Sequence, residues 1–218
     1  MPDKIRTKSE IELFIDLLRE RIKSPLPGKE AQLRMASTVR NKDLNFNYDT
    51  STATKSSVLI LLYPRSGRLY TVFILRQTYD GVHSAQVSFP GGRLEKNDVS
   101  LISTALREAE EEVNINSDQV KVLGALSELY IPPSNYLVLP VIGYIENRPD
   151  FKPDLTEVAE IIEADLSFLF DDQLLKTKIL DIKGFNIEAP YFDVQGHVVW
   201  GATAMILSEL KEVILSIP

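Results

Sequence analysis

The sequence predicts an α/β fold in which helices flank a mixed β-sheet. Three observations carry that prediction. Apolar, β-rich runs come first and recur through the middle of the chain, short turns join them as hairpins, and segments with helical periodicity are interspersed between them. The 218 residues are 44% hydrophobic, enough for a sizeable core, and no low-complexity stretch or Gly/Ser-rich linker divides them. The expected organisation is a helix and an irregular extension over 1–45, followed by one domain over 46–218.

Ile11, Phe14, Leu17, Leu18 and Ile22 give the first amphipathic helix, capped near Ser9 and stopped by Ser24-Pro25-Leu26-Pro27-Gly28; it packs on the domain or on a second copy, as in a homodimer. Residues 29–54 read as irregular and polar. Ser57–Tyr63 and Leu69–Leu75 are strands of a hairpin turned by Pro64-Arg65-Ser66-Gly67-Arg68. A short strand at Gln86–Phe89 leads through Gly91 and Gly92 to a helix. Further strands are expected at Val120–Leu129, at Tyr136–Ile145 with interruptions at Pro140 and Gly143, and at Val158–Ile162. Leu166–Leu175 reads as a short helix, and Ile179–Ile182 and Tyr191–Trp200 as edge strands. Ala202–Ile217 is a final helix with Ile206, Leu210, Val213 and Ile214 inward.

The helix after the two glycines carries the chemistry. At about 100° per residue, Val99, Ile102, Leu106, Ala109 and Val113 fall on one side, and Glu108, Glu111 and Glu112 on the other. The spacing of the three glutamates converges them on one patch in the last turn, where they repel one another and meet the negative end of the helix dipole. A generic Glu-rich helix is a solvated face; this arrangement calls instead for a cation, and oxygen-only ligands select a hard one, Mg²⁺ or Mn²⁺. Asp98 can cap the helix, and Asn114 tolerates the left-handed conformation that ends one.

Gly92 followed by Arg107-Glu108-Ala109-Glu110-Glu111-Glu112-Val113 resembles the Nudix box, G-x5-E-x7-R-E-U-x-E-E-x-G-U with U apolar. Asp98 stands at the first Glu, eight residues rather than seven separate it from Arg107, and Asn114 replaces the late Gly. That longer spacing, with GG and an Asp, is similar to the coenzyme A pyrophosphatase subgroup. So are Arg76, His83 and the run Gln86-Val87-Ser88-Phe89-Pro90-Gly91-Gly92, although Gly81 and Ala85 depart from the subgroup, and so are Glu157-Val158-Ala159-Glu160-Ile161 and Trp200-Gly201-Ala202-Thr203-Ala204. The resemblance implies an α/β/α sandwich of the Nudix type and a metal-dependent hydrolase of a nucleoside diphosphate compound. It also implies roles: Glu108 and Glu112 as primary metal ligands, Glu111 as a further ligand or base, and the Gly91 carbonyl completing the shell. Arg76, His83 and Gly92 would meet substrate. Arg107 holds a carboxylate in place or is a structural salt bridge, and Glu157 is an additional base or a strand-end carboxylate.

The implied reaction is hydrolysis of the diphosphate in coenzyme A or an acyl thioester to 3′,5′-ADP and 4′-phosphopantetheine or its acyl form. Another nucleoside diphosphate such as ADP-ribose or NADH, and a Nudix-fold binder without catalysis, are the alternatives. His83 and His197 are too few for a histidine-built metal site, and with no Cys there is no thiol nucleophile or disulfide. A net charge of -7 argues against nucleic acid or an anionic membrane as partner. The polar N-terminus and the lack of a long apolar run suit a cytoplasmic protein. Tyr130, Tyr136 and Trp200 read as core or pocket-wall residues, and Pro132-Pro133 as a rigid loop bordering the pocket.

Overall fold

The computed structural model describes residues 7–42, 48–78, 84–182 and 184–217. Helix α1 (Lys8–Ile22) is capped by Thr7 rather than near Ser9, because Thr7 and Glu10 satisfy each other's exposed backbone N–H groups in a capping box. Ile15 is buried on it and Leu17 only half-buried, so the inward stripe is rotated from the expected one. Residues 29–54 are not all irregular. They contain α2 (Gly28–Leu33) and α3 (Thr38–Lys42), segments too short for periodicity to reveal.

The central strand β1 (Thr54–Arg65) pairs antiparallel with β2 (Arg68–Arg76) through a two-residue turn in which Ser66 and Gly67 both have positive φ, the hairpin the sequence predicts. Beyond that hairpin end, β1 pairs with β4 (Gly91–Arg93), while β3 (Val87–Ser88) pairs antiparallel with the end of β2. On its other side β1 runs parallel to β7 (Tyr136–Tyr144), which makes the sheet mixed. β7 continues through Pro140. The expected strand at Val120–Leu129 is split into β5 (Lys121–Ala125) and β6 (Leu129–Ile131), which pair with the two ends of β7, so the proline lies at the gap where no ladder bond to them is needed. Gly143 also continues the strand, paired on both sides, and its missing side chain leaves room for Val120 and Leu59. β8 (Val158–Asp165) closes the far edge against β2.

Alternation along β1 sends Leu59, Leu61 and Tyr63 to a face covered by α4 (Leu101–Val113), and Ile60 and Leu62 to a face covered by α1 and α5 (Gly201–Leu215). The result is the three-layer sandwich. In α5 the expected inward residues are buried, together with every other residue from Thr203 to Leu210. The buried Glu209 carboxylate accepts from the Gly28 and Ser127 N–H groups at 3.1 and 3.2 Å and from Gln32 Nε2 at 2.8 Å, tying α2 and the β5–β6 turn to α5. Residues 166–174 form two 3₁₀ turns capped by Asp165 and Asp171 instead of one helix. The last strands are not edges of the main sheet: β9 (Leu175–Ile182), β10 (Phe185–Val194) and β11 (His197–Trp200) make a separate antiparallel sheet, with a turn at Gln195-Gly196 dividing the expected Tyr191–Trp200 run. Among the described residues, no helix is long and apolar enough to cross a membrane.

Candidate active site

The site is assembled where α4 crosses the short strand β4. Ser100, not Asp98, caps α4, in a reciprocal pair with Ser103, so Val99 lies outside the helix and is 93% exposed; Ile102 is also exposed. Asn114 ends the helix with φ 58° and ψ 39°, the left-handed cap expected of it.

Asp98 serves Arg107 instead. Its two oxygens accept from Nε and Nη2 of Arg107 at 3.0 Å each in a bidentate fork, and Thr104 donates to it at 2.9 Å. The same guanidinium bonds Glu111 at 2.9 Å, lies 3.0 Å from Glu108 and donates to the Arg93 carbonyl at 3.1 Å. Arg107 thus holds three carboxylates and the backbone of β4 in one network. Hydrogen bonding to Arg107 keeps the Asp98 carboxyl far below the usual range, and bonding to Asp98 holds the guanidinium proton more tightly than usual.

Of the three glutamates expected on one patch, two turn inward. Glu112 is 2% exposed; its Oε2 accepts from the Gly91 N–H at 2.7 Å, whereas its Oε1 has no hydrogen-bond partner and stands 3.5 Å from Arg76 Nη2. Burial pushes its carboxyl up to about 7, against the pull of Arg76 and the Gly91 N–H, and Glu108 and Glu157 raise it further. Glu108 is also raised by burial, opposed by Arg107 and reinforced by Glu111 and Glu157. Gly92 makes room for it: a Cβ there would lie 2.4 Å from the Glu108 carboxylate. Glu111 is held outward by Arg107, its side chain 57% exposed. An exposed strand-end residue by sequence, Glu157 lines the same cavity as Glu108. Among the described residues, no three acidic or histidine side chains stand close enough to chelate an ion as they are.

Arg76 reaches into this cluster from the end of β2, bonding Ser88 Oγ at 3.2 Å and the Gly91 carbonyl at 2.8 Å. His83 lies outside the described residues. His197 is 3.5 Å from Glu160 and does not line the cavity. That cavity, of about 1360 Å³, starts at Glu108 and Gly92 and passes round the β4 edge to Tyr136, Trp200 and the start of α5. Pro132 and Pro133 border it as expected, whereas Tyr130 is not in its wall. Arg40, Tyr48 and Arg93 are wall residues that the sequence did not single out. Arg40 sits in the segment read as irregular, with no motif around it, while Arg93 immediately follows the glycine pair.

Residues 53–178 match the family model of the NUDIX domain, more than half of the chain. The chain belongs to the Nudix family. It is 39% identical over 132 residues to a Nudix hydrolase, NudL, of Photorhabdus laumondii that is itself uncharacterized, covering 60% of this chain and 69% of that one. It is 32% identical over 146 residues to the peroxisomal coenzyme A diphosphatase NUDT7 of Mus musculus, covering 67% of this chain and 61% of the relative. The Nudix hydrolase RenU of M. smegmatis shares the fold, with a TM-score of 0.54 at 16% identity over 76% of this chain and 88% of that one. Nudix hydrolases generally use a divalent cation. The residues of this Nudix hydrolase suit one: the donors near Gly91 are all oxygens, and Glu112 Oε1 is buried with no hydrogen bond and only the ion pair to Arg76 at 3.5 Å.

Proposed function

We propose that this Nudix hydrolase cleaves the diphosphate of coenzyme A or its acyl thioesters to 3′,5′-ADP and 4′-phosphopantetheine or its acyl form, using Mg²⁺ or Mn²⁺. The observation that carries the reading is the pair of desolvated carboxylates, Glu108 and Glu112, at one end of a cavity roomy enough for a long substrate. The resemblance to the coenzyme A diphosphatase of mouse supports the substrate class.

Glu108, Glu112 and the Gly91 carbonyl are the groups that would hold the cation, which when bound neutralises phosphoryl oxygens and lowers the pKa of a water. The chain's own residues do the rest. Arg107 fixes Glu108 against β4, because its fork on Asp98 sets the guanidinium before it meets the glutamate. Arg76 balances the Glu112 charge and presents its guanidinium to a diphosphate oxygen. Glu157, exposed on the cavity wall, is in this reading the base that takes a proton from the attacking water, with Glu111, bonded to Arg107, as the further candidate.

A product-release screen over coenzyme A, acyl-coenzyme A, ADP-ribose and NADH, with and without Mg²⁺, tests the reading. Metal-dependent release of 3′,5′-ADP and phosphopantetheine is expected. Turnover of ADP-ribose or NADH with none of coenzyme A would overturn it.

A further inference from the structure

Most described arginines of this acidic chain face a carboxylate. Arg40, Arg93 and Arg21 do not, and the first two line the active-site cavity. Arg40, half-buried, donates from Nη2 to the Tyr130 carbonyl and has no acidic partner among the described residues. Arg93 donates from Nε to Tyr136 Oη and packs over that ring at 5.2 Å from its centroid, so its terminal nitrogens have no protein acceptor among the described residues. A half-buried guanidinium such as that of Arg40 is costly without a counterion, whereas Arg93 is exposed and keeps its terminal nitrogens open to the cavity it lines.

Strand alternation separates Arg93 from the cleavage site. Gly92 pairs with Ser57, on the α4 face, and its missing Cβ points at Glu108. Arg93, one residue on, pairs with Ser56 and belongs to the opposite face, with Ile60 and Val138. Arg40 reaches the wall of the same cavity from α3, next to β6. A diphosphate at Glu108 therefore lies on one side of the sheet edge and the Arg93 guanidinium on the other, with Arg40 in the wall of the same cavity.

We infer that Arg40 and Arg93 form a second anion subsite, which takes a phosphate monoester that the substrate carries apart from its diphosphate. This rests on the proposed function, where the 3′-phosphate of coenzyme A is that group. Two arginines presented to one cavity by different elements suit a dianion, and the Tyr136 ring under Arg93 suits the attached base.

Two measurements test the subsite. The first is the ratio of kcat/KM for coenzyme A over its 3′-dephospho form, in the parent and in Arg40→Gln and Arg93→Gln. The parent ratio is expected to be about tenfold or more, and each variant should bring it toward one, mainly through KM, the scale of one lost charged hydrogen bond. A parent ratio of one, or variants that slow both substrates equally, would overturn the subsite and assign the arginines to the diphosphate. The second is calorimetric binding of adenosine 3′,5′-bisphosphate against AMP, which needs no cleavage. Tighter bisphosphate binding that Arg40→Gln and Arg93→Gln both weaken supports the subsite even if coenzyme A is not hydrolysed, in which case only the proposed substrate falls. Equal binding of the two nucleotides overturns the subsite whatever the enzyme cleaves.

Discussion

Glu112→Gln separates what a buried carboxylate does to the fold from what it does for the reaction. Glu112 is 2% exposed, and its carboxyl, ordinarily near 4.5, is pushed to about 7 in the folded chain. Below pH 4.5 the group is protonated in both states and the fold loses nothing. As pH rises from 4.5 to about 7, the unfolded chain ionises first, so the metal-free fold is destabilised across that window. At about 1.4 kcal/mol per tenfold change in proton affinity, the full loss is ~3 kcal/mol. Glutamine keeps the acceptor for the Gly91 N–H and carries no charge. In EDTA at pH 8 the variant should therefore be more stable than the parent by ~3 kcal/mol, or roughly 6–12 °C in Tm for a chain of this size, and the advantage should vanish near pH 4.5. Urea unfolding at several pH values reads this directly. With Mg²⁺ the order reverses in function: the variant should gain much less Tm from the cation and lose ~10²-fold or more in metal-dependent rate. A variant less stable than the parent at pH 8 in EDTA, or an advantage that is the same at every pH, would refute the reasoning.

Arg107→Ala should destabilise the fold by on the order of 1–3 kcal/mol, because it strips a part-buried Asp98 of both charged fork bonds, and double-mutant analysis with Asp98→Asn should show strong coupling. The two box glycines should behave differently in denaturation and rate assays. Gly91→Ala places a Cβ 2.3 Å from the Ser57 backbone carbonyl at φ 154° and is expected to unfold the chain or nearly so, whereas Gly92→Ala meets the movable Glu108 side chain first and should keep the fold while losing activity. Glu209→Ala should cost about 3 kcal/mol or more in urea unfolding, since it leaves the Gly28, Ser127 and Gln32 donors without their acceptor. EDTA should abolish turnover and lower the parent Tm relative to Mg²⁺, seen in paired melts.

Local patterns determined much of this protein. The hairpin at Ser66-Gly67, the helix carrying Glu108 and Glu112, its left-handed end at Asn114 and the inward residues of α5 each follow from residues close together in the chain, where turn chemistry and helical spacing act. The box itself was legible for the same reason. Contacts between distant segments decided the rest. Asp98 read locally as a helix cap, yet Arg107 captures it; the glutamates at 108, 111 and 112 read as one patch, yet packing on β4 buries Glu112 while Arg107 draws Glu111 outward. Pro140 looked like a break in a strand and is not one, because β5 and β6 happen to part opposite it. Arg40 and Arg93 are far apart in sequence and share a cavity wall only after α3 docks on β10 and Arg40 reaches the Tyr130 carbonyl. Short-range propensity sets which elements form, while the desolvation of a particular carboxylate or guanidinium depends on what the finished fold lays over it, and no single segment contains that information.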